Sequence, residues 1–486
     1  MMPRLGWILI VLTVLVGAAG LDVYYHVYRV APVTQIESAE DHFLYGSIGN
    51  EQEHGVPYWI WLVLPRIFPD YLPTPGGYAS IGALARGGRE MPIGFSKVEI
   101  GVPRVGVNCA FCHTASVRAT PIDPPMIYPG GPAHQTGADE YTRFLVAAAS
   151  DPRFTSGTIL GEIAKNVRLP LLEQLRYRFL LIPQTRRALR RLGDGDHAAA
   201  GPSTASGRGR ADLVGRAKFG ILQQSADAAV GAADNMPLWH LRSREAAGYQ
   251  WDRSATSLRE AVRAAAVLAG AAPQWLDNDT QLWERPESAH PSSLRRVMDY
   301  LGDLTPPKYP FAINAALAAS GSAVYAANCA QCHDANGTRA NTAIPPAEIG
   351  TDRHRLDAWT PGAAADFNGF YKGHDWQFSG FRAASVGYVA PSLDGVWLNA
   401  PYLHNGSVPA LGDLLEPPAS RPTRFWRGYD VYDQARVGFV SDGQEAQRLG
   451  TAFDVAAPGN GNGGHDYGTT LSSDDKRALL EYLKTR

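Results

Sequence analysis

Cysteine is nearly absent from this chain. Of its 486 residues four are cysteine, and all four fall in two CxxCH motifs. These are Cys109-Ala110-Phe111-Cys112-His113 and Cys329-Ala330-Gln331-Cys332-His333. Nothing is left over for a disulfide framework, the usual use of cysteine in an exported protein. Methionine is scarce too: the six are Met1, Met2, Met91, Met126, Met236 and Met298, and none follows His333. An excess of one charge is missing, since 45 basic residues stand against 47 acidic ones. That balance gives no support for a nucleic-acid partner. No loop carries an EF-hand pattern.

What is present describes a globular protein. Hydrophobic residues make up 45% and charged residues 19%, enough to bury large cores over two or three domains. With 50 glycines and 35 prolines, long irregular connections between modest helices are expected. Residues 5–21, LGWILIVLTVLVGAAGL, form one uncharged apolar run able to cross a bilayer. Arg4 precedes it, and Tyr24, Tyr25 and Tyr28 follow at the opposite interface. That arrangement leaves the N-terminus in the cytoplasm and exports the rest. The rival reading is a signal peptide cleaved near Ala18-Ala19-Gly20. The expected location is thus the periplasmic side of the bacterial inner membrane, or secretion if the segment is removed.

The two motifs carry chemistry. Two thiols three positions apart reach the two vinyl groups of one porphyrin edge, and the adjacent histidine becomes the proximal iron ligand. A dithiol redox pair needs no following histidine, and a zinc site needs two further ligands close by. The pattern therefore points to two covalently bound haem c groups, held by Cys109, Cys112 and His113 and by Cys329, Cys332 and His333. Covalent haem attachment in bacteria occurs after export, so motifs and N-terminal segment agree.

The chain divides into an anchor or signal segment (1–29), a first haem domain (30–304) and a second (305–486). IGVPRVGVN before the first motif reads as extended backbone, with helices expected at 138–149 and 256–269. The basic stretch from Lys165 to Arg191 has two readings, a membrane- or partner-facing surface and a solvated helical hairpin broken at Pro183. The second is favoured, with a flexible loop over 194–210. TPPKYPF (305–311) reads as a hinge. Residues 312–328 read as a helix running into the second motif. The closing LSSDDKRALLEYLKTR reads as a helix with capping-box spacing at Ser472 and Asp475. The fold class is mainly α, two cytochrome c-like domains with long loops.

Sixth ligands separate electron transfer from catalysis, because an open position can bind peroxide or dioxygen. With no methionine downstream, and barring a reach back from Met298 or Met236, the second haem is left with histidine or, less often, tyrosine. His465 in GNGNGGHDYG is the first candidate, because a glycine-rich loop can bring backbone close to a porphyrin face. His404 in APYLHNGSVPAL is the second; His354 and His374 read as solvated loop residues. For the first haem no distal ligand stands out. His134 and His240 are read as ordinary structural histidines, and Trp239, Tyr249 and Trp251 as distal-pocket wall, electron relay or core.

Residues 390–415, APSLDGVWLNAPYLHNGSVPALGDLL, resemble the C-terminal signature of the bacterial dihaem cytochrome c peroxidase superfamily. YGSIGNEQEHGVPYWIWLVLPRIFPDYL, IGTDRHRLD and GNGNGGHDYGTTLS are most similar to its dihaem rubber oxygenase-like branch. The resemblance implies a reactive N-terminal haem with His113 as its one strong protein ligand. It also implies an electron-relaying C-terminal haem on His333 and a second histidine, which matches His465. By the same likeness a calcium ion can lie between the domains. This chain is shorter than the rubber oxygenases, and an anchor suits a soluble periplasmic substrate better than a polymer, so polyisoprene cleavage is not carried over. The expected function is a peroxide- or dioxygen-activating dihaem oxidoreductase, exchanging electrons with a small periplasmic donor or acceptor protein. The alternatives are an anchored electron-transfer cytochrome and, last, a haem-based sensor.

Overall fold

A computed structural model describes residues 4–29, 38–199, 206–225, 227–285, 291–383 and 386–486. Among these residues helices supply most of the regular structure, with one three-stranded antiparallel sheet and several two-stranded ladders. The apolar run forms the helix Arg4–Val23, continued by a π turn at Tyr24–Tyr28. The stretch Leu9–Tyr28 is long and apolar enough to cross a membrane, a property of an anchor or a signal sequence. Leu12, Leu15 and Val16 stand exposed on it, with no protein core to bury them.

The extended approach to the first motif is a hairpin, Phe95–Ile100 paired with Val102–Val107, with Phe95 opposite Val107. Its burial alternates over 97–100, with Val98 and Ile100 inward and Lys97 and Glu99 outward. Gly101 turns it with φ +67°, a conformation that favours glycine. The helices Ala138–Ser150 and Leu258–Leu268 lie where the apolar periodicity places them. Tyr141, Phe144, Leu145 and Ala148 form the buried stripe of the former.

At the second motif the helix Ala315–Asn328 runs directly into Cys329. The closing helix Ser473–Leu483 is capped by Ser472, whose hydroxyl accepts from the Asp475 backbone N–H at 3.1 Å. These two helices cross at Gly321, where any side chain would strike the Ala478 carbonyl. A bulky residue at that position would pry the pair apart at a cost of about 1–3 kcal/mol.

Three large apolar clusters organise the molecule. The first gathers aromatic rings beside the first motif, with Trp61 stacked on Tyr78 at 4.2 Å and Phe95 edge-on to Phe111 at 5.2 Å. The second includes Trp283, Trp359, Phe367 and Trp376. The third joins Ala115, Val117 and Trp239 to Trp397, Tyr432 and Leu479, so residues from both halves share one core.

Three expectations need correction. The chain does not break at Pro183: helix Leu171–Arg176, π turn Tyr177–Leu181 and helix Ile182–Ala199 form one continuous run. Proline lacks an N–H and clashes with the carbonyl four residues back, and the wider π turn directly before it relieves both. The helix then continues through 194–199, where a flexible loop was expected; 200–205 lie outside the described residues. TPPKYPF is no free hinge, since Tyr309 is buried in the third cluster and Trp397 Nε1 donates to the Pro307 carbonyl at 3.0 Å.

Candidate functional site

Asn108 sets the geometry of the first motif. Its side-chain oxygen accepts from the Ala110 N–H at 3.0 Å, starting the single 3₁₀ turn Cys109–Phe111. Its amide nitrogen donates to the carbonyls of Leu44 and Gly46 at 3.2 and 3.0 Å. His113 Nδ1 donates to the Met236 carbonyl at 2.9 Å. A carbonyl only accepts, so the proton sits on Nδ1 and the Nε2 lone pair is free for a metal. Burial holds the His113 pKa down at about 4, so the ring is neutral near pH 7.

Burial pushes Cys109 up to about 11 and Cys112 up to about 12, away from the depressed values of reactive dithiols. None of the four cysteines is in a disulfide.

His113 and Cys109 open onto a cleft of about 170 Å³. One wall is the face Leu258, Ala261, Val262 and Ala265 of a single helix, and another is Val297 and Leu301. Its polar lining is Asp234, Asn235, Arg244, Gln250, Asn341 and Arg355, and Tyr249 and Trp251 line it too, whereas Trp239 belongs to the third core. Gln250 is held there with φ +71°, a strained conformation for a residue with a Cβ. No histidine other than His113 lines this cleft among the described residues. His134 is stacked on Phe439 at 3.4 Å, and His240 is a partly exposed ring 3.7 Å from Asp394.

The second motif is built differently. Cys329 ends its helix, and the His333 N–H closes onto the Cys329 carbonyl at 3.1 Å. His333 Nδ1 donates to the Pro391 carbonyl at 2.7 Å, again leaving Nε2 free. Facing this ring is His465, with centroids 6.3 Å apart and planes inclined by 44°. Metal–imidazole bonds of about 2.0–2.1 Å place two rings sharing one metal ion about 6 Å apart. The observed separation matches that arrangement.

His465 is carried by the glycine loop. Its backbone N–H donates to the Ile349 carbonyl at 2.7 Å, and the preceding Gly464 packs directly on Gly350. Arg421 clamps the loop, donating to the carbonyls of Asn462 and Gly464 at 2.7 Å and of His465 at 3.2 Å. The buried His465 Nδ1 has no protein partner, and burial beside His333 lowers this histidine to about 4. His404 is elsewhere, stacked on Tyr388 at 3.7 Å, with Arg355 and Arg210 adding to the burial that keeps it neutral. His354 pairs with Asp352 and His374 with Asp277, each at 2.9 Å.

One short segment touches both sites. Val389 and Pro391 line the cleft beside His113, and Pro391 also receives the His333 bond. The Val389 N–H donates to the Trp251 carbonyl at 3.1 Å. Sequence reasoning missed Met236, Pro391 and Arg421. The first two act through backbone carbonyls, which leave no mark on residue type.

The cytochrome c family profile matches residues 318–380, which hold the second motif and most of the helix before it. A second profile, "RoxA-like, cytochrome c-like", matches residues 387–427, the stretch holding Pro391, His404 and Arg421. Both matched stretches are thus similar to cytochrome c domains, a likeness that points to covalently bound haem c. Two proteins of Sinorhizobium fredii (strain NBRC 101917 / NGR234) are similar. "Uncharacterized protein y4iM" is 34% identical over 233 residues, 39% of this chain and 53% of that protein. "Uncharacterized protein y4iJ" is 42% identical over 111 residues, 21% of this chain and 18% of that protein. The chain thus spans about half the length of the first and under a fifth of the second.

Proposed function

We propose that this chain is a dihaem c-type oxidoreductase with two unequal haem sites, in domains 30–304 and 305–486, on the periplasmic side of the membrane. One haem is attached at Cys109 and Cys112 with His113 as its protein ligand. The other is attached at Cys329 and Cys332 with His333 and His465 as axial pair. The observation that carries the reading is the unequal supply of histidine: His465 faces His333, and among the described residues no second histidine lines the cleft before His113.

Haem bound in the cleft supplies redox chemistry on peroxide or dioxygen that no side chain here possesses. The residues around it do the remaining work. The Met236 carbonyl holds His113 in the tautomer that can ligate iron and raises its basicity. Leu258, Ala261, Val262 and Ala265 exclude bulk water, which strengthens polar contacts made inside the cleft. Gln250 and Arg244 present an amide and a guanidinium to a small oxygen-containing ligand. Pro391 lines the cleft and accepts from His333, with Val389 and Trp251 bonded to each other beside it, and electrons would pass between the sites there. A periplasmic redox protein is the expected partner. For calcium, no described cluster of three or more His, Cys, Asp or Glu side chains forms a cage, and no step depends on it.

The test is carbon monoxide titration of the fully reduced, haem-loaded protein. Binding of one equivalent per two haems supports an open site. No binding at any concentration would make the chain an electron carrier.

A further inference from the structure

The basic stretch between the two halves of the membrane question has a shape that its sequence concealed. Because Pro183 does not break it, residues 171–199 form one helical run, and the first turns of that run are not covered by protein. Leu171, Leu172 and Phe179 are 72%, 64% and 66% exposed, and Leu175 is also exposed. At about 100° per residue these four fall within one arc about 100° wide. The opposite side packs into the first apolar cluster through Tyr177, Leu181 and Leu189. A soluble protein rarely leaves four large apolar side chains in one stripe facing water.

Two ties fix where this stripe lies. Arg176 Nε donates to Asp22 at 2.9 Å, and Gln184 donates to the Tyr28 hydroxyl at 3.3 Å. Asp22 and Tyr28 bracket the point where the apolar N-terminal helix leaves its bilayer-length span. Tyr24, Tyr25 and Tyr28 are exposed there, the level at which tyrosine collects in membrane proteins. The stripe therefore continues the apolar surface of the N-terminal helix at the depth of the lipid headgroups.

Charge agrees with that placement. From Lys165 to Arg191 there are eight basic residues and one acidic residue, Glu173. Arg168, Arg178, Arg187 and Arg190 are exposed. An amphipathic helix with leucine and phenylalanine on one side and arginine around it lies in the interface plane of an anionic bilayer.

We infer that residues 171–179 are a membrane-docking surface: Leu171, Leu172, Leu175 and Phe179 insert at the headgroup boundary of an anionic bilayer beside the N-terminal helix. The body of the protein is then held against the membrane at two points, which fixes its orientation instead of leaving it on a swivel. The inference is independent of the haem chemistry.

The experiment uses the full, haem-loaded chain in phosphatidylcholine vesicles with and without phosphatidylglycerol. Single cysteines at Leu172→Cys, Phe179→Cys and Ile122→Cys carry a nitroxide, the motif cysteines being occupied by haem. Ile122 is 93% exposed, on a loop that Arg118 ties to Asp430, and it serves as the aqueous reference. Collision with oxygen is compared with collision with a water-soluble nickel chelate. The expected result is several-fold greater access to oxygen than to nickel at 172 and 179, the reverse at 122, and deeper burial when phosphatidylglycerol is present. An unchanged haem spectrum in each labelled protein shows that it is folded. Labels at 172 and 179 that match 122 in folded protein would overturn the inference. So would a stripe buried equally well in protein detached from vesicles.

Discussion

The two CxxCH motifs share a sequence pattern and little else. The second follows a helix, is closed by a terminal helix crossing at Gly321, and presents His333 to a second histidine. The first follows a β-hairpin, hangs on the hydrogen bonds of Asn108, and presents His113 to an open, largely apolar cleft. Both histidines are oriented by a backbone carbonyl behind the ring, so the proximal sides are equivalent. The contrast lies wholly on the far side. A glycine loop clamped by Arg421 sets His465 opposite His333, whereas among the described residues no second histidine lines the cleft before His113. On the proposed reading, ligand supply, more than the attachment motif, separates the tasks of the two sites.

The comparison can be broken most directly at His465. His465→Ala should open the second site, turning a low-spin haem high-spin while the first is unaffected; optical and EPR spectra of the variant check this. An unchanged spectrum would move the ligand to another residue, with His404 next. Smaller, and graded, is the effect of Arg421→Gln. Removing the clamp on Asn462, Gly464 and His465 should weaken retention of the second axial ligand by about tenfold or more, as for other supporting contacts. Imidazole or cyanide competition at the second haem measures it, and wild-type competition would show that the loop holds itself.

Trp251→Phe sharpens the link between the sites. It removes the indole N–H bond to the Asp234 carbonyl, made at 2.9 Å on the cleft wall. Inter-haem electron transfer should slow about tenfold, equivalent to about 1.4 kcal/mol of barrier, with both haem spectra intact. Equal rates in flash-reduction kinetics would place the route elsewhere.

The smallest effect is one of pH. His42 belongs to the helix Ala39–Tyr45, whose Leu44 carbonyl supports Asn108. Burial, and then Arg296, lower His42 to about 4. The unfolded chain, titrating near 6.5, takes up the proton first. Stability from this group is therefore complete above pH 6.5 and is lost as pH falls toward 4, by about 2–3 kcal/mol. Denaturant unfolding at several pH values should show that slope, reduced in His42→Gln. An identical slope in the variant would assign the acid sensitivity to other groups.

Much of this was legible in residue order because the signals are local. CxxCH, the small-residue helix before Cys329, the Ser472 cap and the glycines around His465 all declare themselves within a few positions. What stayed hidden is non-local or carried by backbone. Met236 and Pro391 act through carbonyls on segments distant from the histidines they orient. Tyr309 and Trp397 meet only because residues 305–311 fold into the third core. Pro183 misled for another reason: the rule that proline ends a helix overlooks a π turn placed to absorb it, and with a break assumed there the membrane-facing reading of 165–191 ranked second to a solvated hairpin.

The central claim, one open and one closed haem site, is tested most directly by low-temperature EPR of the fully oxidised, haem-loaded protein. The account predicts two signals of equal spin count, one high-spin axial signal near the first site and one low-spin signal of a bis-histidine haem that vanishes in His465→Ala. Two low-spin signals, both surviving that substitution, would contradict it.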